Sequence, residues 1–335
     1  MRKLAPAVVL GCASALTLRY MRSRDAMAAV APELRSPLLL ILSPPSSRLT
    51  LPLSRFNARL PTPTGGGVVV EETRIGDPPI RAVVVAPETG TPDRAAVLWI
   101  HSGGYVVGSP QLEFFVMGEI ARATDAVVVS PDYRLAPEHP FPAALDDCMA
   151  TLSWMRAQND QLGIDAERIA VAGGSAGGGL AAAVAQRSFD DGRPLQAQAL
   201  LYPMLDDRTA LRSDFGQRGR FMWTPGSTRL GWTSYLGRVP RMSDAPPYAA
   251  PARRTDLRGL PPAWIGVGDQ DLLYDEAGEY AERLRACGVE CELVAVPGMY
   301  HAADAIKRKA ASMRNFRASM LAFLQRNLTT DARRR

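Results

Sequence analysis

Five residues constrain this chain more than any others: Gly173-Gly174-Ser175-Ala176-Gly177. They follow the apolar, strand-like Ile169-Ala170-Val171-Ala172 without a gap and run straight into the helix-like Leu180 to Gln186. A strand that becomes a helix within so few residues crowds its own backbone, and glycine tolerates that crowding because it has no Cβ. The turn lifts Ser175 above the strand end and points the first N–H groups of the helix towards negative charge. A strand, a sharp turn and a helix in that order call for a layered α/β architecture. The competing reading is a glycine-rich packing turn without chemistry.

The rest of the chain fits the same architecture. Short β-rich runs recur at 68–74, 80–85, 95–100, 126–129, 168–172, 197–202, 263–267 and 290–296. Between the later ones lie helical patterns. In one of them Asp275 is placed to cap the start, Ala277, Tyr280, Ala281 and Leu284 share a face, and Gly288 ends the helix. Continuous apolar strands separated by helices imply a mostly parallel sheet covered on both faces. Two stretches break the alternation. Residues 26–60 are rich in Leu, Pro and Ser, with helical pieces broken at Pro32, Pro37, Pro44, Pro45 and Pro52, and read as an arm or cap. Residues 205–255, carrying Phe221, Trp223, Trp232 and Tyr235, read as an insertion over the carboxyl edge of the sheet. Residues 26–335 are thus expected to form one domain.

Charge and cysteine content narrow the function classes. The net charge of +5 is matched by Arg2, Lys3, Arg19, Arg22 and Arg24, with no acid among residues 1–24, so the folded part is neutral. No basic stripe with interleaved aromatics appears, and nucleic acid is excluded as a partner. Cys12, Cys148, Cys287 and Cys291 are too few and too irregular for a disulfide framework or a zinc site. Residues 4–18 are uncharged and mostly apolar and resemble a short secretory signal or anchor. The expectation is a cytoplasmic protein, with export or membrane association through residues 1–24 as the alternative. Homo-oligomers are left open.

Chemistry gathers around Ser175. His101-Ser102-Gly103-Gly104 follows the apolar run 97–100 and offers flexible backbone N–H groups to an oxyanion. A serine needs a base, and the chain has three histidines, His101, His139 and His301. His301 fits, because it follows the last strand-like run in the loop Pro297-Gly298-Met299-Tyr300 and completes the order Ser, Asp, His. The acid belongs after the run 263–267, where Asp269, Asp271 and Asp275 compete; the capping role of Asp275 makes it the weakest of the three.

Together these motifs resemble the hormone-sensitive lipase family of α/β-hydrolases, in its bacterial carboxylesterase branch. The resemblance runs from roughly Glu71 to Leu324 and takes in Asp132 to Pro140, the glycine turn, Tyr202-Pro203, Asp271 to Glu276 and Pro297 to His301. It implies an α/β-hydrolase fold, with a mostly parallel eight-stranded sheet, helices on both faces and a helical cap. It selects Asp271 as the acid, since the family's acid stands four residues before an Asp-Glu pair. It assigns the oxyanion donors to Gly103, Gly104 and Ala176, makes His101 a support of that loop, and makes His139 and residues 133–140 scaffold. The chain departs from the family pattern at Ser102, where the family has glycine, at Gly174, where it usually has aspartate, and at Ala302-Ala303, where Gly-Phe is common.

The implied reaction is hydrolysis of a small-molecule ester by Ser175, Asp271 and His301, with no metal or organic cofactor. Two rivals are the same groups acting on an amide, lactone or carbamate, and a ligand-binding relative without catalysis.

Overall fold

Apolar runs that cannot face water become the strands of one sheet in the computed structural model, which describes residues 23–40, 45, 47–89 and 91–329. The strands are β1 (Val68–Ile75), β2 (Ile80–Pro87), β3 (Arg94–Ile100), β4 (Val127–Pro131), β5 (Ile164–Gly174), β6 (Gln198–Leu201), β7 (Ala263–Gly268) and β8 (Cys291–Val296). Their spatial order is β1-β2-β4-β3-β5-β6-β7-β8. β1 pairs antiparallel with β2 and β2 with β4, and all further pairs are parallel. The expected mostly parallel eight-stranded α/β-hydrolase sheet is therefore present. Burial follows position: β7 and β4 are buried throughout, while the edge strand β1 exposes Val69, Glu71, Glu72 and Arg74.

Helices cover the sheet in two groups, with Phe114–Thr124 packed on Ala311–Leu328 and Ala143–Ala157 packed on Ala176–Asp190. Parallel strands in this arrangement end in loops at one edge, and those loops carry the chemistry.

Two sequence expectations change. The prolines of the arm start helical turns instead of breaking them: Pro32 and Pro52 occupy the first or second position of Pro32–Leu34 and Leu51–Asn57, where a missing N–H costs nothing. Pro44 lies outside the described residues. Asp275 is not a cap, because the helix begins one residue earlier, at Tyr274, and its carboxylate is taken by Arg218 at 2.6 Å and Arg212 at 3.1 Å. Gly288 does close this helix, with φ +77° and Val289 N–H donating to the Leu284 carbonyl.

The arm lies against the site from two sides. Ala31 N–H donates to the Gly298 carbonyl and the Tyr300 hydroxyl to the Leu34 carbonyl. Farther along, Arg55 donates to the carbonyls of Val106 and Ala136 and pairs with Glu138 at 2.7 Å.

Candidate active site

Ser175 stands between β5 and the helix Ala176–Asp190 at φ 56° and ψ −119°. An L-residue rarely adopts such a conformation, which stores on the order of 1–3 kcal/mol and has to be held by its surroundings. Ser175 N–H donates to the Leu201 carbonyl and its own carbonyl accepts from Met204 N–H, both at 2.9 Å. The flanking glycines are sterically required. A Cβ at Gly173 would lie 2.5 Å from the Gly177 carbonyl oxygen, and one at Gly177 would lie 2.0 Å from that of Ile100.

His301 follows β8 after the turn Pro297 to Tyr300. Its Nδ1 lies 2.7 Å from Asp271 Oδ2 and its Nε2 lies 3.0 Å from Ser175 Oγ. A carboxylate at Nδ1 fixes the proton there, so Nε2 is left to accept from the serine hydroxyl. Asp271 Oδ1 also accepts from Leu273 N–H at 3.0 Å, which fixes the carboxylate plane. All three groups are almost out of water, with Ser175 2% exposed, Asp271 0% and His301 5%. The competing aspartates have other partners: Asp269 accepts from Gly298 N–H at 2.7 Å, and Asp275 binds the two arginines already named.

The loop after β3 completes the site. Gly103 and Gly104 take φ +132° and +60°, which favour glycine. Gly103 accepts from Val106 and Val107 N–H through its carbonyl. Its own N–H, with those of Gly104 and Ala176, finds no acceptor among the described residues. The Ala176 N–H is also the first of a helix, where the backbone dipole favours negative charge. A Cβ at Gly104 would come within 2.2 Å of the Trp223 ring, so the insertion reaches down onto this loop.

His101 is buried beneath the loop, stacked on Tyr133 at 4.0 Å, with Nδ1 2.9 Å from the Ser102 carbonyl. Burial lowers its pKa to about 4, so the ring is neutral and supports the loop. His139 is exposed on the turn at 133–140. Among the insertion aromatics, Trp232 and Tyr235 pack against Tyr105 as core, whereas Trp223 lies 5.8 Å from the His301 ring.

Two carboxyls near the site, Glu113 half-buried and Glu276 buried, were given no role by the sequence reading. Glu113 accepts from Trp99 Nε1 at 2.6 Å and from Ser102 N–H at 2.9 Å. Burial pushes its pKa up to about 7. One signal was present: Glu113 is the sole Asp, Glu, Lys or Arg between Arg94 and Glu119. Glu276 accepts from Leu205 N–H at 2.7 Å, from Asp206 N–H and from the Thr209 hydroxyl, and burial pushes its pKa up to about 8. Among the described residues no group of three His, Cys, Asp or Glu could hold a metal ion, and no helix is long and apolar enough to cross a membrane. Residues 1–22, with most of the suspected signal, lie outside the described residues.

Known proteins share both sequence and fold. A family profile for the α/β-hydrolase fold matches residues 97–305. Esterase LipI of Mycobacterium tuberculosis is 39% identical over 219 residues, covering 64% of this chain and 68% of the relative. Carboxylesterase NlhH of the same species is 38% identical over 250 residues, covering 69% and 74%. Among solved structures, a bacterial heroin esterase superposes with a TM-score of 0.83 at 34% identity, covering 91% of this chain and 99% of the other. Esterase LipW of Mycobacterium marinum gives a TM-score of 0.80 at 30% identity, covering 90% and 97%. With an eight-stranded sheet, a serine turn and esterase relatives all in register, the chain belongs to the α/β-hydrolases, in the carboxylesterase branch of the hormone-sensitive lipase family.

Proposed function

We propose that this chain is a serine carboxylesterase that hydrolyses short- to medium-chain carboxylic esters through an acyl-enzyme. The observation that carries the reading is the unbroken chain of contacts from Asp271 through His301 to Ser175, at 2.7 and 3.0 Å. Esterase names among the relatives favour ester over amide, lactone or carbamate.

His301 Nε2 takes the proton as Ser175 Oγ attacks the ester carbonyl, and Asp271 stabilises the imidazolium that forms. The negative charge that develops on the carbonyl oxygen is met by the N–H groups of Gly103, Gly104 and Ala176. Collapse of this tetrahedral species expels the alcohol, to which His301 returns the proton. Water then attacks the acyl-enzyme with His301 again as base, and the carboxylic acid leaves. Trp223, over Gly104 and beside His301, is suited to shaping the acyl pocket.

Hydrolysis of p-nitrophenyl esters of increasing chain length by wild type and Ser175→Ala tests the reading. The expected result is fastest turnover on acetate to octanoate, reduced by about four to six orders of magnitude in the variant. Equal turnover by both proteins would remove Ser175 from the mechanism.

A further inference from the structure

The glycines around Ser175 are not equivalent. A Cβ at Gly173 or Gly177 runs into main-chain carbonyls, but one at Gly174 meets first the Ser102 hydroxyl at 2.9 Å and then the Tyr202 ring at 3.5 Å. Position 174 lies in β5 without a positive φ, so its own backbone does not ask for glycine. Ser102 does.

Ser102 is in turn held by Glu113. Its N–H and its hydroxyl both donate to Oε1, while the Trp99 indole N–H takes Oε2 at 2.6 Å. The donors are all neutral, and among the described residues no arginine, lysine or histidine pairs with this carboxyl. A carboxyl drawn partly out of water without a cation costs stability, so packing alone gives no reason for it. Its position does. Ser102 immediately precedes Gly103 and Gly104, and its carbonyl is also engaged by His101 Nδ1. The N–H, hydroxyl and carbonyl of this one residue are therefore all fixed.

The two departures from the family pattern, serine at 102 and glycine at 174, thus occupy one space. With Ser102 held by Glu113, an aspartate Cβ at 174 lies 2.9 Å from the Ser102 hydroxyl and forces it to turn out of that grip. The acid that holds Ser102 stands on the turn Pro110–Glu113.

We infer that Glu113 is a positioning residue of the oxyanion loop: by gripping Ser102 through its N–H and its hydroxyl, it sets the peptide planes that aim Gly103 and Gly104, and glycine at 174 makes room for that grip. This inference rests on the ester-hydrolase reading above. It concerns where the oxyanion donors point, so it acts on the chemical step and leaves ground-state binding nearly alone.

The test measures kcat and KM for p-nitrophenyl butyrate, together with Tm, in wild type, Glu113→Gln, Gly174→Asp and Ser102→Gly/Gly174→Asp. Glutamine keeps the shape of Glu113 but turns an NH2 group towards either Trp99 or Ser102, so one donor loses its acceptor. Expected is a kcat lower by about 10- to 100-fold with KM within about threefold of wild type. Gly174→Asp alone should lose at least as much, and adding Ser102→Gly should restore about tenfold, the coupling of two residues that share a space. A folded Glu113→Gln with kcat within about twofold of wild type, or a double variant no better than Gly174→Asp alone, overturns the inference. If Glu113→Gln does not fold, the double variant decides. A folded wild type inert on every ester overturns the ester reading and takes this one with it. An active wild type with an indifferent Glu113→Gln overturns only this one.

Discussion

Two loops meet at Ser175, and they are held by different means. The loop that delivers His301 is fastened mainly through the backbone: Asp269 N–H to the Val296 carbonyl, Gln270 N–H to Met299, Ala31 N–H to Gly298, and Gly298 N–H to the Asp269 carboxylate. The loop that delivers Gly103 and Gly104 is fastened mainly through side chains: Glu113 on Ser102, His101 on Tyr133, and Trp223 over Gly104. Backbone fastening tolerates many side chains, so the base side depends on a few groups with defined roles. Side-chain fastening makes each contact specific to its partner, so the oxyanion side should change as a set.

The sharpest way to break this contrast is on the base side. Asp271→Ala should lower kcat by about 10³- to 10⁴-fold, because His301 loses the group that fixes its tautomer and its cation. Asp269→Ala, two residues away, removes one hydrogen bond to Gly298 and should cost about tenfold or less. Steady-state kinetics of the two variants separates the roles, and equal losses would mean that the backbone fastening of this loop matters as much as the acid.

On the oxyanion side the expected effect is smaller and spreads to stability. Gly104→Ala places a Cβ 2.2 Å from the Trp223 ring at a φ of +60°, so loop and insertion must part. Its kcat should fall by about 100-fold, and its Tm should drop by several degrees. Loss of activity with an unchanged Tm would show that the loop moves without disturbing the insertion.

The smallest effect is a pH dependence shared by both sides. Glu276 ionises near 4.5 in an unfolded chain and near 8 in the fold, because burial disfavours its charge. A raised carboxyl pKa adds stability that is complete below about pH 4.5 and is lost as the pH rises through about 8. Glu113, raised to about 7 by the same cause, acts in the same direction. Wild-type Tm should therefore decline by a few degrees between pH 5 and 8, and less steeply in Glu276→Gln. Parallel thermal melts of the two proteins across that range check it, and identical slopes would discount Glu276.

The same contrast explains what could be read in advance. Ser175 and His301 each follow directly on a strand or its turn, so local pattern and chain order single out two residues whose side chains meet in the structure. Asp269, Asp271 and Asp275 could not be ranked by position, because what separates them is contact with Gly298, His301, Arg212 and Arg218, up to 63 residues away in sequence. The resemblance singled out Asp271, and Asp271 is the one that reaches the histidine. Asp275 was misread as a cap because a boundary error of two residues is enough to turn a first-turn acid into a capping one. Glu113 was missed for a different reason. Its meaning lies in three donors that come from Trp99 and Ser102, and no periodicity records a convergence of that kind.

Glu276 has a consequence for how the insertion is mounted. Its carboxyl grips residues 205, 206 and 209, where the insertion leaves the sheet, and it does so from the helix that starts three residues after Asp271. The foot of the roof is bolted to the same beam that carries the acid. The tie is repeated farther out, where Arg212 and Arg218 hold Asp275 and Gly219 N–H donates to the Gln270 carbonyl, so the roof as far as residue 219 and the acid stand on one support.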